Sequence, residues 1–251
     1  VIHVQFNLTN NIETVLIKDV EMDGSTTLAN AFQYNSAGTF GSLEVSGCHI
    51  HDYARSMFAN TSSSFKASIA SITMNNCIAV NVLTDGGDCI DFRYSYVAKL
   101  TLRNSTFNNC APARDFVRFD DASGTFAGMT SDVLIDHCTL YGVSNGSSRR
   151  ILYVRFVENT LTVSHTIIAA TAGYYTNQTK SAQPECLNNN YFNAPGFVTG
   201  GSEVSGAKFD ISGTHSLLDP GFANVATGDF TVSVQALIDS KTGDPRWLPA
   251  L

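Results

Sequence analysis

Apolar residues alternate with polar ones over many short stretches of this chain. No eleven-residue window carries a convincing 3.6-residue stripe, so strands rather than helices are predicted throughout. A longer period organises those strands. Starting at Val15, Leu43, Ile72, Leu100, Val133 and Leu161, an apolar residue is followed by others at +2, +5 and +7, and successive starts are 28, 29, 28, 33 and 28 residues apart. A strand with +0 and +2 inward, a polar corner, and a second strand with +5 and +7 inward make one turn of a coil. Coils stacked about 4.8 Å apart pair their strands in parallel and bury the inward residues in columns. The period is too long for a hexapeptide left-handed helix and lacks the leucine-rich signature. The predicted fold is all-β: one parallel β-helix over residues 1–251, with about seven to eight coils of roughly 28 residues.

A third strand follows in each coil, aligned as Phe32-Gln33-Tyr34, Phe58-Ala59-Asn60, Ile90-Asp91-Phe92, Val117-Arg118-Phe119 and Val154-Arg155-Phe156, with the outer residues pointing inward. The +5 column reads Val20, Cys48, Cys77, Ser105, Cys138 and Thr166, small residues suited to a tight corner. Buried free thiols are expected there, ahead of a Cys48–Cys77 disulfide between neighbouring coils. His137 and His165 occupy the same +4 place and should stack at an outer corner. Residues 186–192 read as one more imperfect coil and residues 219–247 as a closing cap with Trp247 packed in it, because an open solenoid end exposes strand edges. At the other end, residues 2–6 alternate like a strand of a preceding coil.

Composition narrows the function. The 251 residues carry 15 Lys+Arg against 22 Asp+Glu, a net charge of −7, with no basic run, which argues against a nucleic-acid binder. No apolar stretch approaches the roughly 20 residues of a membrane helix. Six cysteines without a CxxC pair suggest neither a disulfide scaffold nor zinc. The start at Val1, without Met or an apolar leader, reads as a mature protein or an excised module.

In a chain that is only 15% charged, charge concentrates on the outward positions of the third strand. One column reads Gln33, Ala59, Asp91, Arg118, Arg155 and the next Asn35, Thr61, Arg93, Asp120, Val157, with Arg114, Arg149 and Arg150 on flanking loops. Phe116 and Tyr153 are expected to stand exposed beside them, with Tyr94 and Tyr96 nearby. Aromatic faces and bidentate Asp and Arg side chains suit a linear sugar chain, so the candidate ligand-binding residues are Asp91, Arg93, Phe116, Arg118, Asp120, Tyr153 and Arg155. The same charges also make sense as a cross-strand ladder that fixes register. The six histidines show no metal spacing on this strip, and Asp85-Gly86-Gly87-Asp88 reads as an ordinary turn.

The coil motif resembles right-handed parallel β-helix proteins of the pectate-lyase and chondroitinase-B type. The stretch DPGFANVATGDFTV at 219–232 is similar to the closing coil of secreted bacterial members. RDFVRFD at 114–120, LYVR at 152–155 and GDPRW at 243–247 resemble a branch found in Bacteroidetes polysaccharide-degradation systems. The resemblance implies a secreted or outer-surface protein with a polysaccharide partner, xylan-like or pectin-like. It would be a carbohydrate-binding module or surface glycan-binding protein, tethered to a catalytic domain if it is part of a larger enzyme. No cofactor is expected beyond a structural calcium ion.

The alternative is a polysaccharide lyase acting by β-elimination, with Arg118 or Arg155 as base and Asp91 and Asp120 as calcium ligands. Lys18, Lys66, Lys99, Lys180, Lys208 and Lys241 are all expected away from the strip, and arginine holds its proton. Asp120 and Asp121, as strand neighbours, should face opposite ways, which disfavours a two-carboxylate hydrolase. Binding without catalysis is therefore the expectation.

Overall fold

A computed structural model describes residues 2–7, 12–201 and 204–249; the two ends of the expected 1–251 domain, Val1 and residues 250–251, lie outside the described residues. The coil pattern closes into a three-faced parallel β-solenoid. Sheet A stacks Val4–Phe6, Phe32–Tyr34, Phe58–Asn60, Ile90–Phe92, Val117–Phe119 and Leu152–Val154. Sheet B stacks Ile12–Lys18, Thr39–Ser46, Ser68–Asn75, Tyr96–Arg103, Thr130–Asp136, Glu158–Ser164 and Glu185–Leu187. Sheet C stacks Glu21–Asp23, His49–Tyr53, Ile78–Val82, Thr106–Asn108, Thr139–Tyr141, Ile167–Ala169 and Asn190–Phe192. These strands make about six turns, slightly fewer than the seven to eight expected, and a five-residue α-helix, Gln235–Asp239, is the only one among the described residues.

The inward columns are those the alternation indicates. In the central turns the residues at +0, +2, +5 and +7 are buried, while the first coil's Val15, Ile17 and Val20 stay partly exposed at the open end. Inside sheet A an aromatic column runs along the axis, with Phe32 and Phe58 stacked at 4.9 Å and Phe92 edge-on to Phe119 at 5.9 Å. Each fully buried phenylalanine of this kind contributes about 1.5–3 kcal/mol.

The corner between sheets B and C needs a sharp reversal within one residue, and the chain makes it in the left-handed region. Asp19, Gly47, Asn76, Asn104, His137, His165 and Asn188 all take φ between 45° and 65° there. Short polar side chains and glycine tolerate that conformation best, which explains the residue types at +4. His137 and His165 stack there, 4.6 Å apart and 10° from parallel. Just inside the corner, Cys48, Cys77 and Cys138 are buried free thiols, and burial pushes Cys77 up to about 11, so it is unreactive at neutral pH. Ser105 and Thr166 continue the column, accepting from the amides of Cys77 and Cys138.

The tail departs from expectation. Residues 204–218 cover the last turn, with Ser216 bridged to Asn190 and Tyr191 donating to Asp210 at 2.7 Å. Residues 219–249, expected to close that end, instead double back along the outer face of sheet C. Phe222, Val232, Leu237 and Ile238 pack on Ile167, Ala169, Tyr141 and Phe192, because the outward residues of these sheet C strands are apolar. Beyond them the segment bonds in sequence to Asn188, His165, Thr139, Thr106, Cys77 and Asn76, crossing five rungs. Trp247 packs beside Phe230 and donates to Thr106 at 2.7 Å, so it belongs to this lateral strap and not to an end cap.

Candidate functional site

The site is built on the outer face of sheet A, where three-residue strands place one polar side chain outward per turn. The observed column is Gln5, Gln33, Ala59, Asp91, Arg118, Tyr153. Tyr153, not Arg155, pairs with Arg118, so the expected alignment of the last turn was two residues out of register. One residue beyond the strands, the amides of Arg93, Asp120 and Arg155 bond to Asn60, Phe92 and Phe119, which stacks those three side chains in a second column. Arg155 thus takes the place expected for Val157.

Two of the expected ligand contacts are inaccessible, one covered on the outer face and one in the core. Asp91 is fully buried. Phe116 is too, edge-on to Phe107 at 5.1 Å, because the residue entering each sheet A strand still points inward at the corner: Met57, Cys89, Phe116 and Ile151 are all buried. Tyr96 is likewise buried, its hydroxyl donating to Thr130 O at 2.7 Å, whereas Tyr94 is 41% exposed.

Charge is closely paired. Arg93 forks onto Asp91 at 2.9 and 2.8 Å, and Arg118 forks onto Asp120 at 3.0 and 2.9 Å while reaching Asp88 at 3.2 Å. Arg155 meets Asp120 Oδ1, the oxygen that also accepts from Arg118 Nε, at 3.1 Å. Asp88, read from sequence as part of an ordinary turn, is a buried hub that also accepts from the amide of Asp115, and Asp115 holds Arg150 through 3.0 and 2.9 Å bonds. Three guanidinium groups, of Arg118, Arg150 and Arg155, surround the Tyr153 ring at 5.0, 4.4 and 4.9 Å. The tyrosine is thereby a spacer for arginines. Asp88, Asp115 and Arg150 precede their strands, so an outward-column reading does not find their roles.

These pairings move protons in opposite directions on neighbouring rungs. Burial raises Asp91 above the usual carboxylate range despite the bonds from Arg93. Burial also acts upward on Asp120, but the hydrogen bonds and charge of Arg118 and Arg155 outweigh it and leave Asp120 below its ordinary 3.8. The Arg118 proton is held more tightly than usual, since Asp120 and Asp88 more than offset its burial. A carboxyl lowered on folding stabilises the fold above its unfolded value, and that contribution disappears as pH falls through the folded value. Asp91, being raised, instead counts against the fold at neutral pH and ceases to do so below 3.8. Asp120→Asn should therefore lose less stability than the wild type between pH 5 and 2.5. Urea midpoints across that range test this, and parallel curves would refute it.

The exposed edges of these pairs open on a cleft of about 340 Å³ lined by Arg93, Tyr94, Asp120, Asp121, Arg155, Gln178, Thr179 and Lys180. It adjoins a smaller one of about 160 Å³ that adds Lys66, Gly124 and Thr125. Two expectations are corrected here. Lys180 and Lys66 do reach the strip, carried by loops, and Lys180 pairs with Asp121. Asp120 and Asp121 both face the cleft, because the strand ends at Phe119 and its alternation ends with it. Hydrogen bonds from Lys180 and Ser123 hold Asp121 down to about 2.

No helix among the described residues is long and apolar enough to cross a membrane. Comparison with curated proteins and with solved structures gave no match. Two family models match in tandem: a domain of unknown function, DUF4957, over residues 2–110, and a domain of unknown function, DUF5123, over residues 133–247. All three sheets run unbroken across the interval between the two stretches, and the ladder is shared among them: Asp88, Asp91 and Arg93 fall in the first, Arg118 and Asp120 between, and Arg150, Tyr153, Arg155 and Lys180 in the second.

Proposed function

We propose that this chain is a non-catalytic glycan-binding β-solenoid that holds a linear, uronate-bearing polysaccharide in the cleft beside sheet A. The observation that carries this reading is the cleft itself, where Arg93, Arg155 and Lys180 lie beside an exposed Tyr94. Guanidinium groups fixed by their aspartates hold their remaining N–H donors in place at little entropic cost, and a tyrosine face covers the apolar side of a sugar ring. The resemblance to pectate-lyase-type β-helices supports a plant-type ligand, xylan-like or pectin-like, met outside the cell, with a catalytic partner domain in the parent protein.

The lyase reading gains one element, since Lys180 stands in the cleft, 50% exposed, where a base would be needed. Its tie to Asp121 and the tightened proton of Arg118 favour binding alone.

Native gels cast with xylans, pectins, alginate, glucans and glycosaminoglycans, run beside an assay for the ultraviolet absorbance of unsaturated uronates, separate the two. Retardation by one uronate-bearing glycan with flat absorbance is expected. Arg155→Ala should weaken it about tenfold or more, as for loss of a charge-assisted contact. The fold should remain intact, because Arg155 makes a single ion pair at the cleft edge. Mobility unchanged in every gel would sink the proposal, and rising absorbance would make the protein a lyase with Lys180 as the suspect base.

A further inference from the structure

Sheet C carries a second constellation on its outer face, beside the strap. Its first two strands pair Glu21 with His49 and Asp23 with His51. The residues between, Met22 and Ile50, are fully buried, so strand alternation sends Glu21, Asp23, His49 and His51 to the same outer face. The two imidazoles lie 4.7 Å apart and tilted by 33°. Glu21 Oε1 is 3.3 Å from His51 Nε2 and 3.9 Å from His49 Nδ1. One ligand atom from each of the three lies within 4.8 Å of the others, close to the separation of about 3.4 Å between ligand atoms 2.0–2.2 Å from a tetrahedral zinc, so a small rotation of exposed side chains brings them onto one ion.

The surroundings are those of a ligand histidine. His51 Nδ1 is 2.9 Å from Asp52, and Asp52 accepts from Asn81 at 3.0 Å, so a carboxylate orients the ring and leaves Nε2 for a metal. His49 and His51 also line a groove of about 540 Å³ formed between sheet C and Ala226, Thr227, Gly228 and Phe230 of the strap, which gives a bound ion an open coordination position. The other histidine pair serves as a contrast. The rings of His137 and His165 are stacked nearly parallel, so their in-plane lone pairs do not converge, and Asp136 between them already accepts from Ser164 at 2.7 Å.

We propose that Glu21, His49 and His51 form a binding site for a divalent transition metal of the zinc type, with Asp52 as its positioning carboxylate. Untagged protein, stripped with a chelator, would be titrated with Zn²⁺ by calorimetry and with Co²⁺ by visible absorption at neutral pH. One equivalent of Zn²⁺ is expected, with a tetrahedral Co²⁺ band. His49→Ala and His51→Ala should each raise the dissociation constant tenfold or more, while His137→Ala leaves it unchanged. Glu21→Gln, at a largely exposed side chain, should weaken binding without touching the fold, so a misfolded histidine variant would not hide the result. Absence of binding would overturn the site, as would loss in His137→Ala with retention in the His49 and His51 variants.

Discussion

Arg118→Ala should lower the free energy of unfolding by about 3 kcal/mol, or roughly 6–12 °C in Tm for a chain of this size. Arg118 lies at the centre of the ladder, joining Asp88, which is almost wholly buried, to Asp120 and resting against Tyr153. Its removal leaves the buried Asp88 with only the 3.5 Å contact of Arg93 and Asp120 with Arg155 alone, and a buried carboxylate that loses its nearer cation costs more than the pair it came from. Arg118→Lys should recover less than half, since an ammonium cannot fork onto Asp120 while reaching Asp88. Urea midpoints of the two variants decide the matter. An unchanged midpoint for Arg118→Ala would mean that the ladder is surface decoration. The prediction also separates roles within the strip: Arg118 supports, and Arg155 at the cleft edge presents.

Asp244→Ala should release the strap. Asp244 is almost wholly buried and accepts from Thr106 Oγ1 at 2.7 Å and from both the amide and side chain of Arg246 at 3.0 and 3.1 Å, while its own amide donates to Thr139. Without it Arg246 loses the carboxylate that aims it at Asn76 and Cys77, and a loss of about 2–4 kcal/mol is expected. Limited proteolysis followed by mass spectrometry should show cleavage within 219–249 well before any cut in the three sheets. Asp244→Asn, which keeps the shape without a charge that burial already disfavours, should be milder. A wild-type cleavage pattern for Asp244→Ala would show that apolar packing on Tyr141 and Ile167 holds the strap by itself.

The solenoid was legible because its rule is local: an inward residue at +0, +2, +5 and +7 in each turn is a burial pattern, and burial is what the composition of a strand records. The cleft was legible only in outline. In the run 151–156 both Leu152-Tyr153-Val154 and Val154-Arg155-Phe156 alternate apolar and polar, and a slip of two keeps every side chain on the same face, so hydrophobicity cannot choose between them. Backbone pairing chose, and it put Tyr153 among three guanidinium groups. Lys66 and Lys180 reach the cleft from loops that share no phase with the repeat, which no periodic reading finds. Asp88 looked like a turn because Gly86 and Gly87 precede it. Its carboxylate is functional in the ladder only because the next turn brings Arg118 within 3.2 Å.

The strap has a consequence for the order of folding. A stack of turns with nearest-neighbour contacts can nucleate anywhere and lose its terminal turns one at a time. Residues 244–247 tie instead to partners between 105 and 170 positions earlier, a closure that is entropically worthwhile only once the intervening turns exist. Because it is synthesised after the turns it spans, it docks on a surface already formed and then holds them together as one cooperative unit. Fraying from the Asn188 end would have to peel the strap before it could remove the turn beneath. A repeat that would otherwise unravel turn by turn thus acquires a latch, and the latch closes last.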